Sequence, residues 1–468
     1  MENGCYKLSW RERIGFSSGD LAQNLIYQTV SIWLLFFYTN VYGLKPSVSA
    51  VMFLVVRIID VIWDPVVGAF IDKANPRWGK YRSWLLFAGI PLAAFAMLCF
   101  WNGFSGSLLY AYVTYVGMSM CFTLINVPYS ALNSSLTRDT HEITVLTSVR
   151  MFMANLAGLI IKTLPLVIAI FAPKAYNADT GRMEAVYNTP ESAGAWFITM
   201  SIFALTGLAL LVWCFFESKE RIVMDAKDTE NVKVSDLWME LVRNRPLRVL
   251  SFFFIVAYTT MSISNAADSY FMTYNIGATP FMTTAFMWLG TIPAFIFLPL
   301  VPAIKKKIGK AGMFRLFLGI SVVGMILMYA VISVPALKSC FPLLCVVQFI
   351  KSAGVLVATG YMWALVPEVV TFGEYTTGRR VAAIVNALIC IFMKAGMALG
   401  GVIPGLVLAW VGFDSAAKIQ TPLAEQGILW LVTLIPAVLF VLAIFIIGKY
   451  ELSDERMDEI NMEIAKRR

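Results

Sequence analysis

The chain has 468 residues, of which 59% are hydrophobic and 14% charged, and its mean hydropathy is +0.73. Soluble chains carry about a quarter charged residues, so this sequence has too little polar surface to cover itself in water and requires a lipid bilayer as its partner. The net charge of +8 does not point to nucleic acid, because the basic residues sit in short clusters between apolar stretches, without an aromatic-interleaved basic patch.

Taken in chain order, the start MENGC lacks the second-position glycine that myristoylation needs. The first apolar stretch is too long for a cleavable signal peptide and no small-residue cleavage pattern follows it. Apolar stretches then recur near 13–42, 47–72, 83–103, 108–136, 145–171 and 193–216, and again near 248–275, 281–304, 312–333, 336–367, 381–411 and 425–448. The expected architecture is an all-α polytopic membrane protein of twelve spans: an N-terminal six-helix bundle over 1–216, a charged linker over 217–247, a C-terminal six-helix bundle over 248–449 and a tail over 450–468. Lys73, Arg77, Lys80, Arg82, Arg138, Lys305, Lys306, Lys307, Lys310, Arg379 and Arg380 fall in the even-numbered loops, against Lys45, Lys174, Arg182, Lys338 and Lys418 in the odd ones. Cytoplasmic loops carry the excess of Lys and Arg. Both termini are therefore expected in the cytoplasm, with the chain in the inner membrane. A weak internal repeat accompanies the two halves: GAFIDKANPRWGKYR follows the second span and PAIKKKIGKAGMFR the eighth, each a basic loop with a Gly-Lys pair. Parallel repeats of this kind occur in major facilitator transporters.

A charge at mid-bilayer costs about 2.5–3.5 kcal/mol on insertion scales, so each one needs a partner or a task. The second span reads VVRIIDVIWDPVVG and spaces Arg57, Asp60 and Asp64 at i, i+3 and i+7, one stripe on one face. Two carboxylates a turn apart in a dry interior must share a proton, bind a cation or lean on Arg57. Pro65 removes a helix hydrogen bond and frees a carbonyl near Val61. Together these groups suit a small hard cation or a proton. The first span places Asp20, Gln23, Asn24 and Tyr27 on one face, and the fourth places Thr123, Asn126, Ser130 and Asn133 on another. Such stripes are either interhelical polar contacts or the donors and acceptors of a polar cavity, to which Arg150 and Lys394 add positive charge. Lys162, Asp268 and Lys351 receive no role from the sequence; pocket lining and snorkelling remain open for Lys162 and Asp268.

The other features are bland. Seven cysteines are scattered without metal spacing, and Cys340 and Cys345 read as packed thiols. His141, the only histidine, is expected in a solvated loop. No nucleophile elbow, phosphate-binding glycine loop or metal motif occurs, so neither an enzyme nor a cofactor is expected.

Three blocks, FFYTNVYGL, FLVVRIIDVIWDPVVGAFIDKANPRWGKYRSWLLF and MWALVPEVVTFGEYTTGRR followed by KAGMALGGVIPG, resemble the glycoside–pentoside–hexuronide:cation symporter family, which includes melibiose permease and the glucuronide carrier. The resemblance runs from about Leu8 to Tyr450. It implies a major facilitator fold and sugar import coupled to sodium or protons. By the resemblance, Asp60, Asp64 and Thr123 match cation-site positions, which would be metal ligands if the ion is sodium. Asp20, Arg150, Trp363 and Lys394 match positions that line the sugar pocket or link to it, and Asn24, Tyr27, Asn126 and Tyr129 join them as expected substrate-binding residues. Asn126 stands where melibiose permease has an aspartate. Trp63 stands where some sodium-using members have an asparagine. Ser130 replaces a pocket tryptophan, so a glucuronide, a β-linked disaccharide or a pentoside fits at least as well as an α-galactoside. The expected mechanism is alternating access by a monomer, with a lipid or drug transporter on the same fold, or a sugar sensor that has lost transport, as the rival readings.

Overall fold

The computed structural model describes residues 6–467 apart from 75, 138–139, 178–181, 222–233, 298–299, 378–381, 416 and 418. Each of the twelve predicted apolar stretches coincides with a helix or a broken helix. In order these are α1 (Trp10–Asn40), α2 (Pro46–Lys73), the broken pair α3 (Ser83–Phe87) and α4 (Gly89–Cys99), α5 (Leu108–Leu136), the bent pair α6 (Thr140–Ile161) and α7 (Leu164–Phe171), and α8 (Ala193–Glu217). A short antiparallel hairpin, β1 (Lys174–Asn177) and β2 (Arg182–Ala185), joins α7 to α8. Then follow α9 (Val234–Arg243), α10 (Arg245–Tyr270) running into a π-helical turn at Phe271–Ile276, α11 (Pro280–Leu289), α12 (Ile292–Phe297), α13 (Val301–Ser333), α14 (Pro335–Lys338), α15 (Phe341–Tyr361), α16 (Val366–Thr377), α17 (Ala382–Trp410), α18 (Pro422–Val432), α19 (Leu434–Ile447) and α20 (Asp454–Arg467). Among the described residues eight helices are long and apolar enough to cross a membrane, or nine when the bent α6–α7 pair counts as one span. His141, expected in a loop, lies in the first turn of α6, where the neighbouring Glu142 suits the positive end of the helix dipole. The stretch read as a linker is partly helical, since α9 falls inside it.

The chain divides into two compact units, one made of 1–230 with 279–284 and 414–418, the other of the remaining residues. In the N-terminal unit α1 packs against α6 and α8, and α2 against α5. The start of α1 is fixed by a reciprocal cap: the Ser9 hydroxyl accepts from the Glu12 N–H at 3.2 Å while the Glu12 carboxylate accepts from the Ser9 N–H at 2.9 Å. Gly79 turns the chain at φ +122°, a region that favours glycine, and the following N–H groups of Lys80, Tyr81 and Arg82 all donate to the Glu220 carboxylate at 2.7–2.9 Å.

In the C-terminal unit α10 lies along α17, and α13 along α15 and α19, around an apolar core that includes Phe253, Phe314, Met325, Met362 and Phe440. Gly309, the counterpart of Gly79 in the Gly-Lys repeat, breaks α13 at φ +72°, ψ +173°. Lys310 beside it is buried, and its ammonium meets Glu368 at 2.7 Å, Asp454 at 2.9 Å and the Leu452 carbonyl at 3.2 Å. These contacts pin α20 to the rest of the unit, and Leu452, Met457 and Ile460 pack on Phe372 and Tyr375 of α16.

Candidate functional site

Two polar centres occupy the N-terminal unit, and α1 contributes to both. The first is built on Asp20. Gly19, next to it, has no side chain where a Cβ would lie 2.5 Å from the Tyr129 ring, so the ring of Tyr129 from α5 can lie against α1. Its hydroxyl then sits 2.7 Å from Asp20 Oδ2 and 2.8 Å from the Phe16 carbonyl. Arg150 of α6 grips the same carboxylate through Nε at 2.6 Å and Nη2 at 3.2 Å, a two-point charge-assisted contact. The guanidinium also lies over the Phe16 and Tyr129 rings, at 5.5 and 5.0 Å, and those rings stack at 4.8 Å. Asp20 and Arg150 each keep 17% of their side-chain exposure, so the pair is shielded yet reachable. Asn24 turns back on its own helix, donating to the Asp20 carbonyl at 2.8 Å and accepting from Gln28 at 2.7 Å. Gln23 is buried.

The second centre lies between α2 and α5, with Tyr27 of α1 at its edge. One nitrogen of Arg57, Nη1, donates to the Tyr27 hydroxyl at 2.5 Å and to Asp60 Oδ2 at 3.2 Å. Asp60 is buried and also accepts from the Ser119 hydroxyl. One turn on, Asp64 accepts from Thr123 at 3.2 Å. Of the three fates open to the carboxylate stripe, Asp60 thus shows the lean on Arg57. Asp64 and Thr123 face one another across the two helices. Trp63 ties the same helices together by donating from Nε1 to the Met120 carbonyl at 3.3 Å, and the Tyr27 ring stacks on Phe122 at 4.3 Å. Ser119 escaped the sequence reading, although it stands four residues before Thr123 on the face already marked. Asn126 and Ser130, on that face, are exposed.

The remaining expected residues belong to the C-terminal unit. Trp363 is 39% exposed; its indole N–H donates to the Tyr258 hydroxyl at 3.2 Å and its ring meets Phe254 edge-on at 5.0 Å. Tyr258 is a further residue that the sequence did not mark. Lys394 lies half-buried on α17, two residues before Gly396, where a Cβ would stand 2.6 Å from the Ile255 carbonyl of α10. Among the described residues no group of three or more His, Cys, Asp or Glu side chains is placed to hold a metal ion, so any ion held by Asp60 and Asp64 draws on hydroxyl or backbone oxygens as well.

Comparison with known proteins bears on what this arrangement does. The family described as MFS/sugar transport protein matches residues 15–454. The chain is 42% identical to the uncharacterized symporter YnaJ of Bacillus subtilis strain 168, over 98% of this chain and 96% of that protein. It is 31% identical to the glucuronide carrier protein homolog of Escherichia coli K12, over 99% and 97%. Among solved structures, a D-xylose-proton symporter superposes with a TM-score of 0.61 over 95% of this chain and 98% of that one, at 14% identity. At that identity the likeness is one of fold.

Proposed function

Since the chain belongs to the MFS/sugar transport protein family, a family of transporters and not of enzymes, we propose that it imports a glycoside by symport with sodium, using Asp20 and Arg150 for the sugar and Asp60, Asp64 and Thr123 for the ion. Both termini lie on the cytoplasmic side in this reading, following the basic loops. The supporting observation is that one helix serves both centres. Asp20 and Tyr27 are seven residues apart on α1, about 10.5 Å along its axis, and Tyr27 is held by the same Arg57 nitrogen that holds Asp60.

The chemistry follows from that connection. A carboxylate accepts hydrogen bonds from sugar hydroxyls while a guanidinium donates to sugar oxygens, and Asp20 with Arg150 presents the two side by side. A sodium ion near Asp60 and Asp64 competes with Arg57 for Asp60. Its arrival frees Arg57 from Asp60 and leaves it bonded to Tyr27 of α1, the helix that carries the sugar-binding carboxylate. Ion and sugar then favour each other's binding by the same factor, as linkage requires. Asn24, Tyr129 and Asn126 shape the sugar side, and Trp363 and Lys394 are the residues of the C-terminal unit that the family resemblance implies for the sugar. The glucuronide carrier homolog among the relatives favours a hexuronide or another β-glycoside as substrate.

The test is uptake into proteoliposomes from a panel of radiolabelled glycosides, with an imposed sodium gradient or an imposed pH gradient. The expected result is concentrative uptake of at least one glycoside driven by sodium, abolished in Asp64→Asn with exchange of the sugar retained. Uptake driven by the pH gradient alone would move the ion to a proton, and undiminished accumulation in Asp64→Asn would remove this carboxylate from coupling.

A further inference from the structure

Two charges inside the C-terminal unit take no part in the sites above. Asp268 lies near the end of α10 and Lys351 in the middle of α15, both within apolar, membrane-length segments. Their side chains keep 13% and 3% exposure, and Nζ stands 3.5 Å from Asp268 Oδ1. A buried ion pair offsets its desolvation only when the geometry is close and the remaining donors and acceptors are hydrogen-bonded. The other membrane pairs meet closer, Arg150 with Asp20 at 2.6 Å and Arg57 with Asp60 at 3.2 Å. Here the contact is at the outer limit of a hydrogen bond. An ammonium has three donors and a carboxylate about four acceptor sites, so this pair has hydrogen-bonding capacity to spare.

Its surroundings are polar and shaped. Gln348, Lys351 and Ser352 stand at i, i+3 and i+4, on one face of α15. Gln348 is 1% exposed and its Oε1 has no hydrogen-bond partner. Across from this face Gly290 lets Gln348 approach closely: a Cβ there would lie 3.0 Å from Gln348 Nε2 and 3.6 Å from Ser352 Oγ. Phe286, one turn before Gly290, turns its ring toward the ammonium at 6.0 Å. Gly324 lets the Lys351 backbone approach α13, where a Cβ would lie 2.6 Å from it, and the Ser321 hydroxyl binds the Lys351 carbonyl at 2.7 Å, so the lysine is set from behind. Three residues beyond Asp268 the helix widens into the π-helical turn, an irregularity frequent at functional sites.

We propose that Asp268, Lys351 and Gln348 form a second carbohydrate-hydroxyl site, in the C-terminal unit, with Phe286 as the apolar wall for sugar C–H groups. Sugar hydroxyls donate to Asp268 and to Gln348 Oε1 and accept from Lys351. A neutral diol fits this mixed set better than an anion, because Asp268 repels a carboxylate beside it. The inference rests on the glycoside-transport reading and adds to it a carbohydrate site within the C-terminal unit.

The experiment is calorimetry on the purified full-length protein with methyl β-glucuronide, cellobiose and xylobiose, followed by the monodeoxy analogues of whichever binds. The double variant Asp268→Asn/Lys351→Gln keeps the site neutral. It should bind the sugar at least tenfold more weakly at an unchanged melting temperature, and one deoxy analogue that binds the wild type poorly should suffer no further penalty on the variant. Wild-type affinity in the double variant, or deoxy penalties that persist unchanged on it, would make the pair a packing contact and overturn the proposal while leaving glycoside transport intact. Should that variant not fold, Gly290→Ala decides: its methyl presses on Gln348 Nε2 without touching charge, and a several-fold loss of affinity supports the site where unchanged affinity removes it. Binding of none of the three sugars to the wild type, with none of them taken up, would overturn both readings together.

Discussion

Tyr27 is the residue whose place in the structure most changes what its position in the sequence implies. On the α1 stripe it stands with Asp20 and Asn24 as a sugar contact, yet its hydroxyl receives Arg57 at 2.5 Å. Removing that hydroxyl separates binding from coupling. Tyr27→Phe should leave sugar affinity in sodium-free buffer close to wild type while reducing the gain on adding sodium, read by titrating sugar with and without the ion at constant pH. An equal gain in the variant would mean that the message does not pass through Tyr27. Asp20 makes a simpler case. Asp20→Ala strips Arg150 of its two-point partner and strips the sugar of a charged acceptor, so affinity should fall at least tenfold, about 1.4 kcal/mol. Tyr129→Phe, which removes one neutral donor to the same carboxylate, should cost less, about 0.5–1.5 kcal/mol. The residue types and spacings on α1, α2 and α5 made these groups legible in the sequence. The i, i+3 spacing favours Asp60 over Asp64 as the partner of Arg57; what no spacing could disclose was the bond to Tyr27, which depends on how α2 rolls against α1. Ser119 was missed for a related reason: a serine in an apolar span ordinarily bonds its own helix, and only the facing Asp60 gives it a different partner.

Among the elements, α13 carries the clearest conformational demand. Gly309 sits at φ +72°, ψ +173°, a region essentially closed to residues with a Cβ, so Gly309→Ala should cost about 1–3 kcal/mol and lower the melting temperature of the purified protein. Gly319, in the helical part of α13 with open space where its Cβ would be, supplies the control: Gly319→Ala should leave the melting temperature unchanged or raise it, since alanine is the better helix former. Equal losses at both positions would show that the break at Gly309 is not what matters. The Gly-Lys repeat announced these turns, although a basic loop is expected at such places anyway. The breaks within spans were less legible. The separation of α3 from α4 at Ala88, and of α6 from α7 around Lys162 and Thr163, lies within apolar stretches long enough to read as single spans, although Pro91 and Pro165 stand just beyond the two breaks. The tail was legible as charge only. The tail packs Leu452, Met457 and Ile460 on Phe372 and Tyr375 of α16, and a short amphipathic pattern does not say what it will cover.

At the scale of the whole molecule, the apolar stretches showed a many-spanning helical protein, and the resemblance carried by the second-span and TFGEYTTGRR blocks implied the major facilitator type. The outcome rests on the bilayer's demand that backbone groups be satisfied within each segment, which leaves helices as the form available to long apolar runs. The cohesion of the C-terminal unit depends in addition on a polar cluster at one end. Asp454 is pushed up by partial burial, but hydrogen bonds from Lys305 and Lys310 and their positive charges outweigh that and hold its carboxyl below the ordinary value of 3.8. A carboxyl lowered on folding contributes stability that is fully present above its unfolded value and disappears as the pH falls through the folded one. Protection of α20 from limited proteolysis should therefore be complete at pH 7 and decline only below about pH 4, a window in which Asp454→Asn, already lacking the charge, should show a smaller change. A variant whose pH profile matches wild type would assign the docking to Leu452, Met457 and Ile460 alone.

The buried ammonium of Lys310 also has a bearing on the order in which the protein is made. Lys310 is synthesised 142 residues ahead of Leu452, whose carbonyl it binds, and ahead of Asp454 by slightly more. While the intervening helices are still emerging from the ribosome, the lysine has neither of these acceptors, and of its three partners Glu368 is the first to be made. The other two contacts wait for the tail. One residue thus ties a mid-chain break to the end of the chain, and the C-terminal unit closes this contact only after the intervening helices have been made.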